Sequence, residues 1–236
     1  MRNVIVFTIH KAASMFLYKL TKHICLQAKM QFYSVNDGTL APKVTDPAVF
    51  LAPNSCFCPV RYYADIPHIE NFNIILHLRD PRDVLTSLFY SHAYSHPIAA
   101  NGFNPSRVRR LGWIRNGIDS FVIEHASVYF DRYNEYCDKL LSQKNVLFLK
   151  YEQMVTSFDN WLNKFISAFY FEQKQCTITD ILKHSNSFFS ITEENKYNHK
   201  RQVQPGDHKR KLKPETIEFL TEKFKTVLSR CDYPLH

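Results

Sequence analysis

The stretch VIVFTIHKAASMFLYKL, residues 4–20, passes from an unbroken apolar run through His10, Lys11, two alanines and a serine into residues spaced for a helix. An apolar run without alternation is the pattern of a strand covered on both faces, as in a parallel sheet. Met15, Leu17, Leu20, Ile24 and Cys25 then recur at roughly helical intervals over residues 14–26. A strand, a short turn with a cation and a helix together suit an anion. The first amides of a helix lack internal partners and carry partial positive charge, and Lys11 adds a full charge beside them. Ser14 offers a hydroxyl, and Ala12 and Ala13 permit close approach. On this segment alone a second reading stands level: a plain helix start, with Ser14 as its cap and Lys11 in solvent.

The same alternation continues down the chain. Residues 48–60, apolar with prolines, are expected to hold a second strand, and residues 72–78 (FNIILHL) a third. Asp80-Pro81-Arg82-Asp83 then opens a helix, since proline suits a first turn and acids there favour the helix dipole. Residues 97–117 read as a loop carrying Arg107, Arg109, Arg110 and Arg115, and 118–142 as a helix. Residues 146–150 (VLFLK) give a fourth strand, 158–170 an amphipathic helix and 214–230 a closing helix; 196–213 is polar, with seven Lys or Arg against one Asp. Short apolar strands alternating with helices predict an α/β fold: three α/β/α layers around a central parallel sheet. No repeat or second domain is visible, so residues 1–236 read as one domain. Ligands in such folds bind at the carboxyl ends of the strands, here near residues 10, 79 and 151. Arg79 directly follows its strand, and Ser87 comes eight residues later. Both can serve one ligand; alternatively Arg79 pairs with Asp80 or Asp83 and Ser87 is an ordinary helix residue.

Composition narrows the classes. With 45% hydrophobic and 22% charged residues, the 236-residue chain reads as a soluble globule. No apolar run approaches the ~20 residues that span a bilayer, and no signal peptide is read at the N-terminus. The six cysteines are scattered, and Cys56-Phe57-Cys58 lacks the further ligands of a zinc set, so free thiols in a cytoplasmic setting are expected. The formal charge of +8 points to an anionic partner. None of the five glycines forms G-x-G-x-x-G or G-x-x-x-x-G-K-[ST], which removes the standard dinucleotide fingerprint and the Walker A loop.

In order and spacing, HKAASMFL, IILHLRDPRDVLTSLFY, VLFLKYEQM and KRQVQPGDHKRKLKPE resemble the sulfotransferases that use 3′-phosphoadenosine-5′-phosphosulfate (PAPS). The resemblance spans residues 4 to about 224. Arg79 and Ser87 match the family's second motif, Tyr151-Glu152 its Tyr-Glu pair, and Arg201 with Gly206-Asp207 parts of its C-terminal basic loop. Gln202 and Val203 depart from that loop, and the first motif lacks the usual Gly. The resemblance implies a P-loop NTPase-like topology and a single sulfotransferase domain. It also implies PAPS as co-substrate, with no metal. Lys11 and the amides of Ala12, Ala13, Ser14, Met15 and Phe16 would hold the 5′-phosphosulfate. Arg79, Ser87 and Arg201 would hold the 3′-phosphate, and Gln202 and Val203, in the same loop, would belong to the co-substrate site. Tyr151 would lie near the adenine, and Phe16 would either stack on the base or belong to the core.

The reaction expected is sulfuryl transfer to a hydroxyl or amine of a small organic acceptor, releasing adenosine 3′,5′-bisphosphate. Lys11 is expected to stabilise the leaving oxygen. The region where many members carry a basic His reads Ser55-Cys56-Phe57-Cys58-Pro59 here, so His92 and His96, four apart, become the candidate bases ahead of His23 and His68. Phe89, Tyr90, Tyr94, Phe103, Trp113 and residues 56–63 are candidates for the acceptor pocket. The arginines of 107–115 either attract an anionic acceptor or form a solvated face. A cytoplasmic monomer or homodimer, without nucleic-acid or membrane partners, completes the expectation. Two other classes stay open: a nucleotide kinase-like enzyme, and a non-catalytic nucleotide- or nucleic-acid-binding protein.

Overall fold

A computed structural model describes residues 2–96, 106–169, 197 and 203–235. Two compact units divide the chain: Met1–Arg79 with Glu135–Phe188, and Asp80–Asn134 with Phe189–His236.

The first unit contains a five-stranded sheet in which every neighbouring pair is parallel. Its strands are β1 (Val4–Thr8), β2 (Gln31–Tyr33), β3 (Ser55–Val60), β4 (Asn73–Leu78) and β5 (Val146–Lys150), in the order β2-β3-β1-β4-β5. All residues of β1, β3 and β4 are buried, in keeping with their mostly apolar sequences. The outer strands β2 and β5 are partly exposed, and both are edges.

Side-chain parity assigns the two faces. Strand neighbours alternate between faces, and the register pairs Thr8 with His77 and Phe7 with Leu76. On the His77 side, α1 (Ser14–Ala28) and α5 (Phe158–Ser167) cover the sheet. Trp161 of α5 meets the His77 ring, and the Asn73 side chain donates to the Ala168 carbonyl at 2.7 Å. The buried residues of α1 (Leu17, Leu20, Thr21, Ile24, Cys25) form one stripe that lies on β3, where Cys25 meets Cys56. On the opposite face Phe7 packs against Tyr63 and Tyr136, and the Tyr136 hydroxyl donates to the Thr8 carbonyl at 2.9 Å. Tyr136 belongs to the last turn of α3 (Arg107–Lys139). The sheet is therefore covered on both faces, as predicted.

In the second unit α2 (Pro81–Tyr90) is capped by Asp80, whose carboxylate accepts from the Arg82 amide at 2.9 Å. The buried Arg82 side chain grips the same carboxylate and reaches the Thr221 hydroxyl and the Pro234 carbonyl. Asp83, also buried, accepts from the amides of Gly206 and His208 and makes a 2.6 Å contact with His208 Nδ1. These ties anchor the short helix Asp207–Lys211 and the closing helix Pro214–Arg230 to α2.

Three expectations shift. Residues 48–60 contain a 3₁₀ turn (Pro47–Leu51) before β3, and a further short strand, β2, precedes them. The loop expected over 97–117 is helical from Arg107 onward; Gly117, at φ 83°, breaks α3. Residues 97–105 lie outside the described part. The segment Tyr151–Thr156 forms a short helix, α4, directly after β5.

Candidate functional site

Chain order makes β1 the centre of the sheet: β2 and β3 build to one side, β4 and β5 to the other. In an open parallel sheet the crevice at the carboxyl end of such a reversal is where ligands bind. The residues that follow β1, β3 and β4 there are His10-Lys11, Arg61 and Arg79.

The β1–α1 turn has an unusual backbone. Lys11 (φ 69°) and Ala13 (φ 58°) both adopt the left-handed conformation, which costs a residue with a Cβ about 1–2 kcal/mol. Glycine would adopt it freely. Ala12 between them is fully buried, and its amide donates to the Ile9 carbonyl at 3.3 Å. Ala13 is the N-cap of α1 and provides no side-chain cap. Such an uncapped helix start carries partial positive charge that suits an anion. Ser14 is not the cap either: its hydroxyl accepts from Arg61 Nε (3.4 Å) and Nη2 (3.2 Å). Arg61 Nη2 also reaches Asn36 Oδ1 at 3.3 Å, so its guanidinium is braced beside the first turn of α1.

Arg79 is 3% exposed. Its Nη1 donates to the Lys11 carbonyl at 3.2 Å, and its guanidinium lies 4.4 Å from the centroid of the buried Tyr151 ring. A planar cation on an aromatic face is held in orientation by the ring quadrupole. Asp80, one of the two proposed acidic partners, is gripped by Arg82. Lys11, Arg79 and Tyr151, read separately from three motifs, thus form one connected group.

Phe16 packs on Phe158 and Trp161, with centroids 6.0 and 6.4 Å apart, as part of an aromatic cluster. Met15 is 42% exposed. Ser87 lies in the second unit and, with Tyr90, is one of two α2 residues that are not fully buried. His92 and His96 are brought together, 6.0 Å between rings, although by a wider turn than an α-helix gives. Residues Ser91–Ser95 form a π turn in which the His96 amide donates to the Ser91 carbonyl at 2.9 Å. Such turns are frequent at functional sites. Trp113 and Phe121 wall His92 at 5.6 and 6.1 Å. Phe89 joins Tyr90, Tyr94 and Phe121 in the same aromatic group. Val203 is described and buried, whereas Phe103, Arg201 and Gln202 lie outside the described residues.

Arg61 escaped the sequence reading. The signal was the one that found Arg79, a cation directly after a buried apolar run, but Pro59 obscured where that run ended. The nearby thiols are held in their protonated form: burial pushes Cys58 up to about 12, and burial with the neighbouring Cys25 thiol pushes Cys56 well up. Burial, then the Asp65 carboxylate, also raise the Tyr63 phenol.

A comparison with curated protein sequences finds no match. Among solved structures, mouse sulfotransferase SULT7A1 complexed with PAP is similar over 97% of this chain and 85% of its own, at 16% identity and a TM-score of 0.68. Retinol dehydratase in complex with androsterone and the inactive cofactor PAP is similar over 100% of this chain and 83% of its own, at 12% identity and a TM-score of 0.62. At such identities the likeness establishes the fold. The sulfotransferase-domain family model matches residues 68–232, well over half of the sequence, and the chain belongs to that family.

Proposed function

We propose that this protein moves a sulfuryl group from PAPS to a hydroxyl or amine of a small organic acceptor and releases adenosine 3′,5′-bisphosphate. The observation that carries the reading is the cation set Lys11, Arg61 and Arg79 at the carboxyl ends of three adjacent strands, beside a helix start with no side-chain cap. A nucleotide with charge at both its 5′ and 3′ positions suits separated cations of this kind. The two named structural neighbours are complexes with PAP.

In this reading Lys11 and the amides of Ala13, Ser14 and Met15 hold the 5′-phosphosulfate, with Arg61 beside them through Ser14; the Ala12 and Phe16 amides, also expected there, already donate to the Ile9 and Ala13 carbonyls. Arg79, supported by Tyr151, serves the 3′-phosphate, together with Ser87 and Arg201, all within a single domain. The acceptor oxygen or nitrogen attacks sulfur in line, and the bond from sulfur to the bridging oxygen breaks. Lys11 neutralises the charge that grows on that oxygen, and His92 or His96 takes the acceptor's proton. Androsterone in the retinol dehydratase complex illustrates a small organic molecule bound by a related fold; the aromatic groups around Phe89 and Trp113 suit such a molecule.

The test is turnover of PAPS with a panel of phenols, alcohols and amines. Formation of the bisphosphate with a sulfated product supports the reading. Selective bisphosphate binding without product from any acceptor would favour a non-catalytic nucleotide-binding protein.

A further inference from the structure

The arginine cluster at 107–115 has no part in the reaction above. Residues 107–116 are the piece of α3 that precedes the break at Gly117. Four of these ten residues are arginine, and no acidic residue occurs from Arg107 to Ile118. Contacts within the second unit identify the inward side of this helix. Trp113 packs against His92, Phe121 and His125, and Arg110 Nη2 donates to the His96 carbonyl. Elsewhere on the helix Val108, Leu111 and Ile114 are 79%, 58% and 39% exposed. At about 100° per residue these three fall within one sector of about 120°, which also holds Arg107 and Arg115. At about 1.5 Å per residue they make an aliphatic strip about 9 Å long with an arginine at each end. Arg107, Arg109 and Arg115 are exposed, and none forms an ion pair among the described residues. Exposed aliphatic side chains are ordinary when scattered; a contiguous strip of them marks an interaction surface.

We propose that this strip docks on an anionic lipid surface. A basic amphipathic helix is the form that lies in a bilayer interface. Guanidinium groups meet lipid phosphates in two-point fashion, and the acyl chains just beneath receive Val108, Leu111 and Ile114. Arg107 and Arg115 lay their stems beside the aliphatic strip while their heads stay at the level of the phosphates. The lack of any carboxylate on this segment leaves nothing to repel the negative surface. An acidic protein would pair the arginines, but a charged face gives three aliphatic side chains little to bury against. Docking of this kind departs from the expectation of no membrane partner, yet it needs no spanning segment: no described helix is long and apolar enough to cross a membrane. The strip is short and its cations are exposed, so attachment is reversible and sensitive to salt.

The experiment is sedimentation of the full chain with vesicles of phosphatidylcholine alone and of an equal mixture of phosphatidylcholine and phosphatidylserine. The natural chain is expected to sediment with the mixed vesicles at low salt, to be released at high salt, and to stay in solution with phosphatidylcholine. The pair Arg107→Gln and Arg115→Gln should weaken binding about twentyfold, since an arginine near an anionic surface contributes roughly fivefold. The pair Val108→Ser and Leu111→Ser should weaken it about tenfold or more, through the apolar area no longer buried. All four positions are exposed, so both variants should keep the natural unfolding midpoint. Leu111→Trp supplies a second readout, a blue shift of its emission on the mixed vesicles. No sedimentation with those vesicles, equal retention on phosphatidylcholine, or an unshifted Leu111→Trp would each overturn the proposal. Natural affinity in the serine variant would also overturn it, by leaving charge as the sole attraction. Retention on immobilised polyglutamate without any vesicle binding would assign the surface to an acidic protein instead, and the lipid proposal would fall.

Discussion

Lowering the pH should expose the cost of burying His77. Burial lowers its pKa to about 3, while an unfolded histidine titrates near about 6.5. Between these values the unfolded chain binds a proton that the folded chain refuses, so stability falls as the pH falls. The sign is that of a depressed base: the contribution is complete above about pH 6.5 and is lost on the way down to about pH 3. Between pH 7 and pH 5 the loss is about 2 kcal/mol. Eleven histidines and the carboxylates add their own terms, so the quantity to measure is a difference. Urea unfolding of the natural chain and of His77→Leu at pH 7, 6 and 5 supplies it, because the other groups largely cancel. The natural chain should lose about 2 kcal/mol more than the variant across that range, and the variant should match or exceed it in stability at pH 5. Parallel pH profiles for the two proteins would mean that the folded state protonates His77 as readily as the unfolded one, and the reasoning from burial would fail.

Other substitutions separate binding from folding. Lys11→Met should leave the unfolding midpoint within a degree or two and weaken bisphosphate binding about 10–100-fold, as expected for one charge-assisted contact; equal affinities by calorimetry would remove Lys11 from the site. Ala13→Val places a β-branched residue in the left-handed conformation and should cost about 1–2 kcal/mol in urea unfolding, whereas Ala13→Gly should not. Asp83→Ala leaves the Gly206 and His208 amides and the His208 ring without their acceptor and should destabilise the second unit by about 3–5 kcal/mol; a loss under about 1 kcal/mol would show that the buried carboxylate is dispensable.

Much of this architecture could be read from residue patterns because burial leaves a plain mark. The runs at 4–8 and 73–78 lie inside the sheet, and that at 146–150 forms its edge; all three are mostly apolar, so their type follows from the sequence. Gln31-Phe32-Tyr33 could not be read this way: it is three residues long and half-exposed, and only pairing with β3 makes it a strand. The start of α3 was hidden because Gly112 and Gly117 lie within a stretch of arginines with no steady apolar stripe. At the site, Lys11 and Arg79 were legible as cations at strand ends. Arg61 carries the same signal behind a proline. The stacking of Arg79 on Tyr151 joins residues 72 positions apart through the pairing of β4 with β5, a contact that no local pattern encodes. His77 hid for the opposite reason: within an aliphatic strand it counted as one more buried position, and only its surroundings distinguish it.

The central claim is that Lys11, Arg61 and Arg79 together receive a nucleotide phosphorylated at both its 5′ and 3′ positions. Calorimetric titration with adenosine 3′,5′-bisphosphate, beside adenosine 5′-monophosphate and ATP, tests it most directly. Saturable one-to-one binding of the bisphosphate, at least tenfold tighter than of either competitor, is the predicted result; equal or stronger binding of ATP, or no heat from the bisphosphate, would contradict it.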